Sequence, residues 1–439
     1  MELAMGFIFE LSVIIKLFVI FLFIVTLIRM RLSLGTALMA GSILLGIWFR
    51  LDITHIFSSV IQSVFAEKTI MLGLLVSMIL ILSHSMEKTK QMERLLEASK
   101  GMIGDARLNL TLFPALIGLL PMPGGAIFSA PMVQVIGSQH QLSAEKKSLI
   151  NYWFRHIWEY WWPLYPGVIL TCSLSGIDLW AFIICQFSLT IVAIVAGYLF
   201  LLKPIYFITF SESYHTVPGA STRVLKELTP ILIVITCSSG FRLLLPPLRG
   251  VWVGLETLPK ETPLIIALFL SIMWVWCYNK VASIVVLKIV TNRSLLNMIY
   301  MVAGVFIFQG ILEDSNAISE INAYLITKHI PIIYIVVILP FLVGWLVGIA
   351  IAFVGITFPI LISLLVGSGM ENYILPYVVL AYCSGFMGVL FSPLHFCLIL
   401  TCEYFKADMV KIYKALWRPC LMVMASGLSL FFAIRAFLG

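Results

Sequence analysis

Charge is scarce in this chain. Only 11% of its 439 residues are Asp, Glu, Lys or Arg, and 61% are hydrophobic. Soluble domains carry roughly 25% charged residues, so a water-soluble globular fold is excluded. The stretches between apolar runs are too short to hold a soluble domain. Metal-ligand spacing is missing as well. The eight cysteines are scattered, mostly inside apolar runs, with no CxxC and no His/Cys cluster along the chain. They read as small core hydrophobes, and no metal site is expected. HExxH, paired aspartates on apolar runs and a serine in a GxSxG setting are all absent. The usual constellations of an intramembrane enzyme are therefore lacking, and neither catalytic residues nor a cofactor is expected. The opening residues, MELAMGFIFE, lack the basic region of a cleaved signal peptide, so the first apolar run reads as a retained helix.

What remains is a series of apolar runs with short polar joins, the pattern of an all-α polytopic membrane protein embedded in a lipid bilayer. Runs at 5–28, 34–49 and 70–85 precede a polar stretch whose MERLLEASK piece predicts a short surface helix. Others cover 179–202, 230–245, 263–278, 296–312 and 410–437.

Four further apolar segments are interrupted. Segment 147–172 carries Arg155, His156 and Glu159 near its start and Pro163 and Pro166 in its middle. A charge at the bilayer centre costs from ~2.5 kcal/mol upward, and an interior proline costs a helix ~3 kcal/mol. A plain anchor needs neither, whereas a helix broken at mid-membrane to hold a polar solute uses both. Segment 108–136 is cut by Pro121-Met-Pro-Gly-Gly125, which predicts two short arms of a re-entrant hairpin. Such backbone survives at membrane depth only when protein or a wet cavity shields it. Segments 331–366 and 374–402 predict a second hairpin and a second broken helix.

These features recur. A shift of 230 residues places Pro163-Leu164 on Pro393-Leu394 and Ile169-Leu-Thr-Cys172 on Ile399-Leu-Thr-Cys402. With a small gap, Pro114 and Gly118 fall on Pro340 and Gly344, and Pro131 falls on Pro359. The expected layout is a first repeat at 1–202, a cytoplasmic linker at 203–229 and a second repeat at 230–439. Five crossings per half turn the second copy upside down, the arrangement of many secondary transporters. Most of the 28 Lys and Arg then lie on the side of Arg29, Lys88–Arg107, Lys146-Lys147 and Lys406–Lys414. The opposite loops hold Arg50, Lys68, Arg249, Lys260 and Lys328, offset by acids. The positive-inside rule makes the first side cytoplasmic and puts the N-terminus outside, in the inner (plasma) membrane.

The stretches LPMPGGAIFSAPMV (Leu120–Val133) and SGFMGVLFSPLHFCLIL (Ser384–Leu400) resemble an uncharacterised integral membrane family, a domain of unknown function. That family is grouped with the ion-transporter superfamily of gluconate, citrate, dicarboxylate and arsenite carriers. The resemblance covers nearly the whole chain. It implies inverted repeats, two re-entrant hairpins, two broken helices and often a homodimer with elevator-like motion. The dicarboxylate members carry Ser-Asn-Thr signatures at their hairpin tips. This chain departs from them, with Pro-Met-Pro-Gly-Gly at one tip and Gly355-Ile-Thr357 near the other.

The expected function is symport of a small anionic solute, organic or inorganic, coupled to H+ or Na+; an intramembrane enzyme or a channel is the alternative. Nucleic acid is not an expected partner. Arg155 is the central residue, since a guanidinium stays charged and forks onto carboxylate or phosphate. Two placements remain open for it: facing a cavity, or snorkelling to the surface from the nearby Lys146-Lys147 loop. Glu159 lies four residues on, on the same helical face, as a structural ion-pair partner or a coupling carboxylate. His156 titrates in a useful range for coupling. Pro121, Pro123, Gly124 and Gly125 would expose backbone groups to a ligand, with Ser129, Asn151 and Tyr152 adding neutral hydrogen bonds. Gly355, Thr357, Ser384, Gly385, Gly388 and Ser392 are the expected contribution of the second half. Its equivalents of Arg155 and Glu159 are Gly385 and Val389, so the halves are chemically unequal. Trp153, Trp158, Trp161 and Trp162 fit either an interfacial belt or a cavity wall.

Overall fold

A backbone in hydrocarbon must satisfy its own hydrogen bonds, and a helix does so within one segment. A computed structural model describes residues 12–100, 105–122, 124–205, 219–249 and 259–438, and every regular element among them is helical. The first half comprises α1 (Val13–Arg29), α2 (Leu34–Trp48), α3 (Ile53–Phe65), α4 (Glu67–Lys88), α5 (Gln91–Ser99), α6 (Ala106–Gly118), α7 (Ala126–Gln139), α8 (Ala144–Arg155), α9 (Pro166–Ser175) and α10 (Leu179–Gly197), which runs on through a π turn at Tyr198–Leu202. The second half runs through α11 (Ala220–Arg249), α12 (Thr262–Tyr278), α13 (Ser283–Val290), α14 (Arg293–Asp314), α15 (Ala317–Thr327), α16 (Ile332–Val347), α17 (Ala350–Gly367), α18 (Ile374–Leu390), α19 (Phe396–Phe405) and α20 (Met409–Leu438). Among the described residues, ten α-helices precede position 206 and ten follow position 218.

Among the described residues, seven spans are long and apolar enough to cross a bilayer: Glu67–Lys88, Leu179–Leu202, Ala220–Leu244, Ser283–Asp314, Ala350–Gly367, Glu371–Leu390 and Met409–Leu438. This is a membrane protein. Polar residues cap helices where the chain turns. Ser33, Asp105, Ser143, Asp178 and Asn292 each accept a backbone N–H from the first turn that follows, which otherwise has no partner.

Several local expectations change. Most of the loop between Arg50 and Lys68 is helical, because α3 places Ile53, Phe57, Ile61 and Phe65 at four-residue spacing along one exposed face. The MERLLEASK helix is not purely superficial: Met92, Leu95 and Leu96 of α5 are buried, and Arg94 pairs with Glu227 at 3.1 Å. Of the expected 203–229 linker, 206–218 lies outside the described residues. The stretch from Ala220 onward already belongs to α11, since Val224-Leu-Lys-Glu-Leu228 consists mainly of good helix formers. The start of the first apolar run, through residue 11, also lies outside the described residues. Lys16 is buried with its Nζ 5.0 Å from the Phe49 ring centre, so it meets an aromatic face inside the protein. Arg242 stays exposed and pairs with Asp178 at 2.9 Å.

Equivalent helices make equivalent contacts. α6 packs on α8, and α16 on α18; α2 packs on α14, and α12 on α4. The last two of these contacts cross between halves, and so do two more: α9 packs on α17, and α19 on α7. The closest approaches correspond residue by residue. A Cβ on Gly118 would overlap the backbone oxygen of Arg155, and a Cβ on Gly344 would overlap that of Gly385. Gly118 and Gly344 are 226 residues apart and Arg155 and Gly385 are 230 apart, so the two contacts correspond once a four-residue gap is allowed. Gly118→Ala and Gly344→Ala should each lower the thermal unfolding midpoint in detergent, since overpacking of this kind costs ~1–3 kcal/mol. Gly73→Ala, whose added methyl meets nothing within 4 Å, should leave the midpoint unchanged or raise it.

Candidate functional site

Helix α8 is capped by Ser143 and buried along its last eight residues, Ser148 to Arg155. It stops at Arg155. From His156 to Tyr165 the chain makes successive turns, with Glu159 N–H on His156 O and Trp162 N–H on Trp158 O. Pro163 has no N–H to offer, and Pro166 restarts the helix at the first position of α9, where none is needed. The second interruption is shorter, Phe391 to His395, and contains Pro393.

Aromatic side chains of the first break satisfy the last carbonyls of α6, which lack helical partners. Trp158 Nε1 donates to Ala115 O at 2.8 Å, Trp162 Nε1 to Leu119 O at 2.9 Å and Tyr165 Oη to Gly118 O at 2.6 Å. Trp153 Nε1 donates to Ala193 O at 2.9 Å, and Trp161 Nε1 to Thr190 Oγ1 at 2.7 Å. The tryptophans expected as a belt or a wall instead pin the break to α6 and α10.

Arg155 is 2% exposed, so it does not snorkel. Its Nη1 donates to Glu159 Oε1 at 2.8 Å and its Nη2 to Met122 O at 2.8 Å, in the turn between α6 and α7. Nε is buried and finds no hydrogen-bond partner among the described residues. A Cβ on Gly125 would lie 3.1 Å from both Nε and Nη2, so the glycine lets the guanidinium lie against the turn. Gly124 has φ +72°, in the left-handed region that favours glycine, and a Cβ there would come within 2.8 Å of Leu400 in α19. The turn of the first half thus touches the second half. Pro121 is half-buried in that turn, and Pro123 lies outside the described residues.

Next to this ion pair the two interruptions meet. His156 Nδ1 donates to Tyr152 O at 2.5 Å, and its Nε2 lies 3.8 Å from Glu159 Oε1. Tyr152 Oη sits 3.0 Å from Leu390 O and 3.0 Å from His395 Nδ1. The His156 and His395 rings meet edge to face, with centres 4.8 Å apart. Tyr382 Oη donates to Glu159 O at 3.0 Å. Ser129 donates to Asn151 Oδ1 at 2.7 Å, and Asn151 Nδ2 to Ala126 O at 2.9 Å, tying the start of α7 to α8.

The expected residues of the second half are placed differently. Thr357 Oγ1 donates to Phe353 O in its own helix, and Ser384 Oγ to Val337 O of α16 at 2.6 Å. Gly388 lets α18 approach Phe341 O, Gly385 faces the Phe353 ring, and Gly355 faces Val305. Of that set only Ser392 belongs to the break, where its Oγ accepts Leu394 N–H at 3.2 Å. The second half instead contributes His395 and Cys397 to the cluster. Cys397 escapes a reading of the sequence; its one local signal is that it stands two residues past His395, just after the proline break.

Two cavities flank this buried core. One, of about 570 Å³, is lined by Glu67, Lys68, Asp178, Arg242 and Lys260 and reaches Pro163 in the first break. The other, of about 580 Å³, is lined by Lys90, Arg94 and Lys100 and reaches Phe128 and Pro131 of α7. Glu67 starts α4 and Lys90 follows its end, so the cavities lie at opposite ends of a 22-residue helix about 33 Å long. Arg155 lines neither.

Glu159→Ala would leave the guanidinium buried with a carbonyl as its sole remaining partner. Breaking a buried pair this way costs ~3–5 kcal/mol, so a marked fall in the unfolding midpoint is expected. An Arg155→Met/Glu159→Leu double substitution should recover most of it, which a double-mutant cycle of unfolding midpoints would measure.

No curated protein matches the chain. A family model described as a protein of unknown function, DUF401, matches residues 10–434. That range takes in both interruptions, the turn that holds Arg155 and every element packed around them, and on it the chain belongs to the DUF401 family.

Proposed function

We propose that this protein is a secondary active transporter of a small anionic solute, coupled to H+ or Na+ and seated in the inner (plasma) membrane. The observation that carries this reading is Arg155. It is a permanent cation at a helix break, held by one carboxylate and one carbonyl, with Nε left open against a glycine turn. An arriving carboxylate or phosphate would take over donors that Glu159 now occupies. The released carboxylate, with His156 beside it, is then the coupling group.

The alternating-access part of the proposal rests on the repeat. In this reading the halves are inverted copies, and the exchanged packing of α9 on α17 and α19 on α7 supports a two-fold relation between them. The arms α6 and α7, of 13 and 14 residues, span about 20 Å. That is short of a ~30 Å hydrocarbon core, which supports a hairpin that enters and returns. The two cavities at opposite ends of α4 would be the two access routes, with the Arg155 cluster as the barrier between them. An elevator-type displacement of hairpins and broken helices, in a homodimer, would open each route in turn.

Counterflow in proteoliposomes, run across a panel of organic and inorganic anions, tests this. One anion class should show saturable exchange without conductance, and Arg155→Ala should abolish it while exposed Lys328→Ala leaves it intact. Unchanged exchange in correctly folded Arg155→Ala would remove the arginine from the site, and conductance without saturation would favour a channel.

A further inference from the structure

The two interruptions also bring together a group that neither half contains alone. His156 comes from the first break, His395 from the end of the second, and Cys397 from the first turn of α19 just past it. All three are buried, and one ligand atom from each lies within 4.8 Å of the others. We propose that these residues bind a zinc-class metal ion that bridges the two interruptions. The site goes beyond the transport reading and stands without it, because metal content is read in detergent with no flux involved.

Four observations carry the assignment. First, the tautomers suit it. His156 Nδ1 faces the Tyr152 carbonyl at 2.5 Å and His395 Nδ1 faces the Val389 carbonyl at 3.1 Å. A carbonyl only accepts, so each ring keeps its proton on Nδ1 and its lone pair on Nε2. Metal-bound histidines are oriented by the same kind of outer hydrogen bond. Second, the His156 imidazole and the Cys397 thiol already meet in a side-chain hydrogen bond, so a nitrogen and a sulfur donor converge before any metal arrives. Third, two imidazoles and a thiolate make a borderline-soft donor set that suits Zn2+, whereas Mg2+ and Ca2+ seek oxygen. Fourth, Glu159 Oε1 lies 3.8 Å from His156 Nε2 and supplies negative charge between the metal and Arg155.

The chemistry balances. Loading replaces the Cys397 thiol proton with the metal and releases that proton to solvent. With the Cys397 thiolate, Glu159 and Arg155 counted, a dication leaves one net positive charge, and the fourth coordination position is open to water or an anion. Zn–N and Zn–S bonds of ~2.0–2.3 Å at tetrahedral angles put ligand atoms roughly 3.3–3.6 Å apart. The three groups must therefore draw together by about an ångström on loading, which pulls the two interruptions toward each other.

Cobalt serves as the spectroscopic probe. The full chain, purified in detergent and stripped with a chelator, should take up one Co2+ with a thiolate-to-cobalt charge-transfer band and the intense visible bands of a tetrahedral site. Zn2+ should displace it. Cys397→Ser should lose the charge-transfer band, His395→Gln should weaken binding, and Cys383→Ser, buried outside the group, should change nothing. A wild-type protein with no such band, or a band that survives Cys397→Ser, overturns the proposal. A second measurement needs no variant: Zn2+ should slow alkylation of Cys397 in the wild-type chain, followed by mass spectrometry, without slowing that of exposed Cys277. Equal Cys397 rates with and without Zn2+ would also overturn it.

Discussion

A permanently charged side chain buried within membrane-spanning helices must be satisfied where it lies, and Arg155 imposes that demand on everything around it. The guanidinium cannot shed its proton and does not reach the surface. Its partners come from two sides: Glu159, one turn further along the same segment, and the carbonyl of Met122 in the turn between α6 and α7. Helix α8 stops at Arg155, and the turn that follows keeps Glu159 within reach of the guanidinium. The α6–α7 turn must carry glycine for its backbone to lie flat against the side chain. Once α8 stops, the freed backbone and the end of α6 need partners of their own, and the indoles and the Tyr165 hydroxyl supply them. The ion pair, the proline break, the glycine turn and the aromatic cluster thus meet at one place.

Gly385 makes a comparable contact without the charge: a Cβ on Gly344 would overlap its backbone oxygen, as one on Gly118 would overlap that of Arg155. What the second half adds is chemical rather than architectural: His395 and Cys397 at the restart of α19, facing His156 across the junction. The junction thus has a buried ion pair on one side and two imidazoles with a thiol on the other.

Much of the fold was legible in the sequence because bilayer physics limits the choices. Apolar runs and Pro and Gly punctuation lead to the helices and to the interruptions at 156–165 and 391–395. Short elements were less legible. Helix α3 sits where charged Arg50 and Lys68 suggested a join, and α11 begins inside a stretch that looked like linker. Arg155, His156 and Glu159 could be picked out because charge in an apolar run is conspicuous. Gly355, Ser384, Gly385 and Gly388, picked out as site residues, sit at helix–helix contacts, since small residues serve close packing as readily as ligand access, and Thr357 bonds within its own helix. The His156–His395–Cys397 group was invisible because its members belong to opposite halves and each alone resembles a core residue. The aromatic hydrogen bonds were hidden likewise, as their acceptors are backbone carbonyls that any sequence has.

The proposed transport cycle depends on the two copies facing opposite ways, and a matched pair of positions tests this directly. Gly176 ends α9 and Lys406 ends α19; the 230-residue shift superposes them, and both have left-handed backbone, with φ +69° and +55°. In a background with the native cysteines replaced, Gly176→Cys and Lys406→Cys would be exposed to a membrane-impermeant thiol reagent in right-side-out and inverted vesicles. The account predicts that position 176 is labelled only from outside and position 406 only from the cytoplasmic face. Labelling of both from the same face would contradict it.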